Sequence, residues 1–327
     1  MIDLLGLISK TVAFKTVLGD KKNNKLSHAY LIVNKDKQNL LEYLKIFAKT
    51  ILCKEGSPCC ACRACSLIDE GNYPDLYIYP KDKENVLKED VENLIEESYY
   101  KPIEGDKKVF IIFNAQSMNI ASQNKLLKTL EEPPQNVIII LGATSEYPLL
   151  STIKSRVKKL EVPPFSDKVL FDALKKECQD EQKLLEAIAC GDKTVGRTLA
   201  LYDDGDFIKL QNLAEDVLVN MQKSSEVLTF SHKITKEKIG IEEFLSVLEL
   251  RLSDFLHILS KNDGLVTNEK SKSIYQSTTG FNLASVVFIL EKITKARKQK
   301  VANMNDTMLL EWVLFTILEG KHKWQKL

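Results

Sequence analysis

The stretch VFIIFNAQSMNIASQNKLLKTLEEPPQNVIIILG, residues 109–142, carries the pattern that decides the fold. It begins and ends with unbroken apolar runs, VFIIF and VIIILG, each of the length of a buried strand. Between them lies a segment with helical spacing, in which Leu126, Leu127 and Leu130 share one face. Two prolines end that helix, because proline lacks the amide hydrogen that a continuing helix needs. A strand, a helix and a second buried strand in this order predict a parallel sheet covered on both faces.

The same alternation of apolar runs and helical segments extends in both directions from this stretch. The further elements that we expect are strands AYLIV (29–33), DLYIY (75–79) and VKKLEV (157–162), and helices LLEYLKIFAKTILC (40–53) and VENLIEESYY (91–100). Together they predict an α/β domain over residues 1–164, which ends at the proline-containing segment VPPF.

Beyond this boundary the apolar residues recur with helical spacing almost throughout. We expect a small helical domain over residues 165–206 and a larger helical domain over residues 207–327. Four segments of the larger domain have clear helical periodicity: DFIKLQNLAEDVLVNM, IEEFLSVLELRLSDFLHIL, ASVVFILEKITKARKQ and NDTMLLEWVLFTILEG.

The composition is that of a soluble globular protein that carries little net charge. The 327 residues include 46 basic and 45 acidic side chains, so the formal net charge is +1. Bulk charge therefore gives no sign of a nucleic-acid or membrane surface. The N-terminal segment lacks the apolar core and cleavage site of a secretory signal, and no apolar stretch is long enough to span a bilayer. We expect a cytoplasmic protein.

Five cysteines crowd into the segment CKEGSPCCACRAC, residues 53–65. In the cytosol thiols stay reduced, so this cluster indicates metal or redox chemistry rather than disulfides. The spacing favours Cys53, Cys59, Cys62 and Cys65 as the four ligands of a tetrahedral Zn²⁺ site, with Cys60 outside it. An alternative set replaces Cys59 with Cys60, and an iron–sulfur cluster also fits the spacing. Four protein ligands leave no open position for a substrate, so we expect a structural metal.

The loop after the first strand, NKDKQN at residues 34–39, lies where an α/β ATPase holds its phosphates. That role requires glycines and a Lys-Ser/Thr pair, but this loop contains no glycine, and Asp36 would repel a phosphate. A second element is also missing, because Phe113 and Asn114 stand where acidic residues would hold Mg²⁺. The sequence therefore predicts no nucleotide cofactor and no ATP hydrolysis by this chain.

Several motifs in the first half of the chain resemble a known family. LLKTLEEPP at 126–134, GATSEYPLLSTIKSR at 142–156, SHAYLIV at 27–33 and the cysteine module resemble the delta-prime subunits of the bacterial DNA polymerase III clamp loader. The resemblance implies an AAA+ domain, a small helical lid and a helical collar. It also implies a five-subunit ring with delta and gamma/tau subunits, which uses ATP to open a sliding clamp and place it on primed DNA. Delta-prime would be the stator of that ring, with no ATPase or polymerase activity of its own.

One arginine acquires a candidate role from this resemblance. Ser155 and Arg156 match the first two residues of the family's Ser-Arg-Cys motif, and Val157 replaces the cysteine. The resemblance implies that Arg156 reaches into the ATP site of a neighbouring subunit and stabilises the charge that develops on the transferred phosphate. From its spacing alone, Arg156 would be a surface arginine in a basic run. Thr144 and Arg197 lie where related ATPases contact nucleotide, and without a phosphate loop we expect structural roles for both.

Two other functions also need to be considered. One is an ATP-hydrolysing motor subunit of the gamma/tau type, against which the glycine-free loop is the main argument. The other is a zinc-containing nucleic-acid binding protein. The near-zero net charge and the lack of aromatic residues among the cysteines argue against it.

Overall fold

In the computed structural model, five parallel strands form one sheet in the order β2-β3-β4-β1-β5. The strands are β1 (Ala29–Val33), β2 (Leu76–Tyr79), β3 (Lys108–Ile112), β4 (Val137–Ala143) and β5 (Lys158–Glu161). Strands β3 and β4 are buried at every position, because helices cover both faces of the sheet. All five predicted strands and their parallel arrangement are confirmed.

The register brings the carboxyl ends of the central strands to one edge of the sheet. Val33 at the end of β1 pairs with Ala143 of β4 on one side and with Glu161 of β5 on the other. Ile112 at the end of β3 pairs with Leu141. In open parallel sheets ligands bind beyond this edge.

The helices of the first unit include the three segments near the sheet that the sequence predicts to be helical, which correspond to Leu40–Leu52, Lys88–Ser98 and Ile120–Glu131. In chain order, the helices up to residue 174 are α1 (Leu4–Ile8), α2 (Val12–Lys22), α3 (Leu40–Leu52), α4 (Arg63–Asp69), α5 (Lys88–Ser98), α6 (Ile120–Glu131), α7 (Ser151–Lys154) and α8 (Asp167–Leu174). Helix α6 begins after Asn119, whose side chain accepts a hydrogen bond from the Ser122 amide at 2.8 Å. Its residues Leu126 and Leu130 are buried in the core beneath the sheet, as predicted.

The structure describes residues 2–81, 85–237, 240–268, 270–301 and 305–323. The chain divides into two units: Met1–Glu177 with Thr194–Arg197, and Cys178–Lys193 with Thr198–Leu327. The first contains the sheet. The predicted domain boundaries at residues 164 and 206 stay predictions.

The second unit is built from helices. The helices from residue 181 onward are α9 (Glu181–Cys190), α10 (Val195–Asp203), α11 (Phe207–Asn220), α12 (Ser224–Lys236), α13 (Ile241–Leu259), α14 (Lys270–Ser277), α15 (Leu283–Val301) and α16 (Asp306–Lys323). The first residues of α10 belong to the other unit. A large apolar cluster from α11, α13, α15 and α16 forms the core of the second unit. Among the described residues, every helix is too short or too polar to cross a lipid bilayer.

Helix α12 was not among the predicted helical segments. Its buried positions Val227 and Ile234 are seven residues apart, and the buried residue between them is Ser231. A serine on the buried face interrupts the apolar periodicity from which a helix is predicted.

Candidate functional site

The loop between β1 and α3 is ordered by its own polar side chains. The Asn34 side chain donates to the Val162 carbonyl at 2.9 Å and accepts from the Asp36 amide at 2.7 Å. The Asn34 amide donates to the Ala143 carbonyl at 3.0 Å, which continues the pairing of β1 with β4. The loop is therefore fixed next to both neighbouring strands, at the edge of the sheet where their carboxyl ends lie.

Asp36 is almost completely buried in this loop, although the sequence suggested only that it would repel a phosphate. One carboxylate oxygen, Oδ1, accepts from the Asn39 amide at 3.2 Å. The other, Oδ2, accepts from the Asn39 side-chain amide at 3.1 Å, the Tyr43 hydroxyl at 2.9 Å and the Gly196 amide at 3.0 Å. Burial, followed by the nearby Asp36 carboxylate, raises the pKa of Tyr43 above its usual range, so its hydroxyl remains a donor.

No carboxylate directly follows β3, where a magnesium-binding acid would stand. Phe113 and Asn114 occupy these positions, and Asn114 has a left-handed backbone with φ of 56°. Its carbonyl accepts from the Ser117 amide at 2.8 Å and from the Ser117 hydroxyl at 2.8 Å. Beside it, the Gln116 side chain donates to the Thr144 hydroxyl at 3.1 Å and accepts from the Thr144 amide at 3.3 Å. Thr144 thus closes the end of β4 structurally, as the sequence indicated.

Arg156 follows α7 at the surface of the first unit, with 35% of its side chain exposed. Its Nη1 donates to the Thr152 carbonyl at 2.9 Å and to Oγ of Ser155 at 3.3 Å. Its Nη2 lies 2.7 Å from Oε1 of Glu131 at the end of α6. The structure brings Ser155 and Arg156 together, and the proposed reach of Arg156 into a neighbouring subunit stays a prediction.

The partner of this arginine is not evident from the sequence. Glu131 is the last residue of α6, and its side chain is about half exposed. The two residues are 25 positions apart, and only the packing of α6 against α7 brings them together. Val157, at the position of the family's cysteine, is buried in the core beneath the sheet.

Four cysteine sulfurs converge between the end of α3 and the start of α4. The distances between sulfurs are 3.6 Å for Cys53–Cys59, 3.8 Å for Cys53–Cys62 and 4.0 Å for Cys59–Cys65, and all four sulfurs lie within 4.8 Å of one another. A tetrahedron of thiolates about 2.3 Å from Zn²⁺ has edges of about 3.8 Å. The donor set therefore fits a metal ion. Cys60 is exposed, with φ of 55°, and lies outside this set.

The environments of the thiols differ. Backbone amides of Ala61 and Cys62 lower the pKa of Cys59 to about 6. Burial raises the pKa of Cys65 to about 12 and also raises that of Cys53. Thiols with raised pKa values, such as those of Cys53 and Cys65, ionise readily only beside a positive charge, which a divalent cation would supply.

A lysine from another helix contacts this cluster, and the spacing of the cysteines gave no signal of it. Lys21 of α2 donates through Nζ to the Cys53 carbonyl. Burial lowers the pKa of Lys21, while the Cys53, Cys65 and Cys62 sulfurs oppose that shift. Lys21 thus places positive charge beside the thiols.

The parallel sheet of order β2-β3-β4-β1-β5 defines the class of the first unit as an open-sheet α/β domain, in which the loop after β1 contains no glycine and no acidic residue directly follows β3. Comparison with known proteins is more specific. Residues 10–166 match the family model described as DNA polymerase III, delta subunit. The chain is 29% identical over 317 residues to DNA polymerase III subunit delta' of Bacillus subtilis, covering 94% of this chain and 95% of that protein.

Two further similarities concern other subunits described as parts of DNA polymerase III. The chain is 36% identical over 138 residues to the tau/gamma subunit of Haemophilus influenzae, covering 41% of this chain and 20% of that protein. A DNA polymerase III gamma subunit-related protein of Thermotoga maritima superposes with a TM-score of 0.44 and 22% identity, covering 94% of this chain and 99% of that one. The sequence matches, rather than this superposition, relate the chain to the family.

These sequence matches show a resemblance to the clamp-loader subunits of DNA polymerase III. Among them it resembles the delta-prime subunit, and the resemblance drawn from its sequence motifs is confirmed.

Proposed function

We propose that this chain is the non-hydrolysing stator of a clamp loader, that it assembles with delta and gamma/tau subunits in a five-membered ring, and that it donates Arg156 to a neighbour's ATP site. The observation that carries this proposal is the position of Arg156. Its guanidinium lies at the surface immediately after α7 and is held by one ion pair and two local hydrogen bonds.

The ion pair between Arg156 and Glu131 is weak enough for a ligand that binds Arg156 more strongly to displace Glu131. The side chains of Arg156 and Glu131 are 35% and 49% exposed. Pairs with this exposure contribute about 0–1 kcal/mol, because water screens both charges. A triphosphate offers bidentate, charge-assisted contacts that match a guanidinium better than one carboxylate oxygen does. Glu131 thus orients the arginine while no phosphate is present.

The loop geometry supports the absence of ATP turnover in this chain. Residues 34–39 contain no glycine, and the carboxylate of Asp36 takes up the polar donors around it. Phe113 and Asn114 supply no carboxylate for Mg²⁺. A gamma/tau-like motor remains the second candidate because tau/gamma and tau subunits also match about 40% of the chain.

We also propose that the four-cysteine cluster holds a structural zinc ion. The residues that would bind it are Cys53, Cys59, Cys62 and Cys65. The ion would tie the end of α3 to the start of α4 with no open coordination position, so its contribution is to stability rather than to catalysis.

The arginine assignment is tested in a ring reconstituted with delta and gamma/tau subunits. Arg156→Ala should leave assembly intact, as judged by size-exclusion chromatography. It should slow single-turnover hydrolysis at the neighbouring site by on the order of 10³-fold, because the transition state loses its guanidinium. Lys154→Ala is the matched control from the same basic run and should behave as wild type. Normal DNA-stimulated hydrolysis and clamp loading by the Arg156→Ala ring would refute the assignment.

A further inference from the structure

The carboxylate of Asp36 accepts hydrogen bonds from backbone amides at helix starts, which is also how many enzymes bind a phosphate. Two of its four donors are backbone amides at helix starts: Asn39 directly precedes α3, and Gly196 is in the first turn of α10. Amides at helix starts carry partial positive charge and are the usual donors to anions in phosphate loops. The Asn39 side chain and the Tyr43 hydroxyl supply the other two hydrogen bonds.

We propose that Asp36 is a built-in anion that occupies the phosphate position of the loop between β1 and α3, and that this position accepts inorganic phosphate once the carboxylate is removed. The inference rests on the proposed function, since a stator requires no nucleotide of its own. It adds that the phosphate position is filled by the chain itself.

Gly196 packs directly against the carboxylate of Asp36, with no room for a side chain. A Cβ atom at Gly196 would lie 2.4 Å from Oδ1 of Asp36 and 2.6 Å from Cβ of Gln38. Real Cβ atoms do not approach other atoms so closely, so only glycine lets the amide of residue 196 reach the carboxylate. The segment Thr194–Arg197 belongs to the same unit as the sheet, although Gly196 is 160 residues from Asp36 in the chain.

Loss of the carboxylate would leave its donors without an acceptor. Buried donors without a partner are strongly unfavourable, so a small anion that satisfies them should bind. The loop itself stays held by Asn34, which bonds to the Val162 carbonyl and does not depend on Asp36 for that contact. Asp36→Gly therefore removes the anion together with the side-chain volume, whereas Asp36→Asn removes the charge and keeps the volume.

The test measures denaturation of the full-length chain in increasing inorganic phosphate, with chloride at matched ionic strength as reference. We expect Asp36→Gly to be less stable than wild type and its urea midpoint to rise with phosphate, with an apparent affinity at least about tenfold tighter than that of wild type. Asp36→Asn should be destabilised without responding to phosphate. Gly196→Ala, which keeps the carboxylate, should behave like Asp36→Asn.

Other results of these measurements would contradict or support the proposal. Recovery of Asp36→Gly by formate but not by phosphate would overturn the proposal, since the position would then fit a carboxylate only. An equal phosphate response in wild type would also overturn it.

If Asp36→Gly is unfolded in buffer, recovery of its native circular dichroism in phosphate supports the proposal. No recovery, with Asp36→Ser folded and unresponsive, refutes it. Tight MgATP binding by wild type would instead refute the proposed stator function.

Discussion

Two of the buried lysines, Lys108 and Lys321, donate hydrogen bonds to backbone carbonyl oxygens. Lys108 donates to the Glu97 carbonyl at 3.0 Å, and Lys321 donates to the Met221 carbonyl at 2.8 Å. Lys321 also lies over the Phe281 ring, 5.3 Å from its centroid. Burial lowers the pKa of Lys321 to about 8, and Glu226 partly opposes the shift. Lysines are almost never fully buried, so their place in the core is not evident from the sequence.

The pKa of Lys321 predicts a specific dependence of stability on pH. Because this value is lower in the folded chain than in the unfolded one, the unfolded state binds more protons between pH 8 and 10, and stability rises with pH in that window. The unfolding free energy of wild type relative to Lys321→Met should therefore increase by about 2 kcal/mol from pH 7 to pH 10. Urea denaturation at several pH values measures it.

The control for this prediction is Lys272→Met, since Lys272 is about half exposed and pairs with Asp263. It should show no comparable change with pH. A constant difference between wild type and Lys321→Met across the window would mean that burial does not lower the lysine's proton affinity.

At the scale of elements, the cysteine module joins two helix ends. Cys53 directly follows α3, Cys62 directly precedes α4, and Cys65 lies inside α4. The sequence spacing alone left two ligand sets open. The fold brings the sulfur of Cys59 to the others, while Cys60 is exposed. The left-handed backbone of Cys60 separates two neighbouring cysteines that the sequence presents as equivalent.

This arrangement predicts opposite effects on metal binding for substitutions of two cysteines that are close in the sequence. Cys62→Ser should lose the metal, because three thiolates hold zinc much more weakly than four. Cys60→Ser is the matched control and should keep one zinc per chain. Inductively coupled plasma mass spectrometry of the purified chain measures the stoichiometry. Hydrogen exchange should show loss of protection in α4 for Cys62→Ser alone.

Stoichiometric zinc in Cys62→Ser would exclude the proposed ligands. Iron with visible absorbance in the wild-type chain would favour the iron–sulfur alternative that the cysteine spacing also allows.

At the scale of the whole molecule, the stator and motor hypotheses differ in their response to nucleotide. A motor subunit saturated with MgATP at about 100 times its Kd would gain about 2.7 kcal/mol of stability. A chain whose Kd exceeds the ligand concentration gains less than about 0.4 kcal/mol. We expect the second result for the isolated chain in millimolar MgATP, measured by urea denaturation. A gamma/tau homologue under the same conditions is the positive control, and a gain of the motor's size would reject the stator hypothesis.

The sequence by itself determined the sheet and most of the helices. Unbroken apolar runs can be buried only in strands covered on both faces, and helical spacing repeats locally along the chain. The sequence also shows directly that residues 34–39 contain no glycine and that no acidic residue immediately follows VFIIF, because both are features of residue type at given positions. The order of the strands in the sheet cannot be read from the sequence, nor can the division of each unit into two separate segments of the chain, since both depend on contacts between distant residues.

Only the tertiary structure decided which polar groups meet. The bond from Gly196 to Asp36 joins residues 160 positions apart, and the pair of Arg156 with Glu131 depends on how α6 packs against α7. No local pattern encodes such pairs, because a polar residue has the same sequence signature whether it is solvated or buried with a partner. Burial separates the two cases: it makes an unsatisfied polar group strongly unfavourable, so the folded chain must supply the partner.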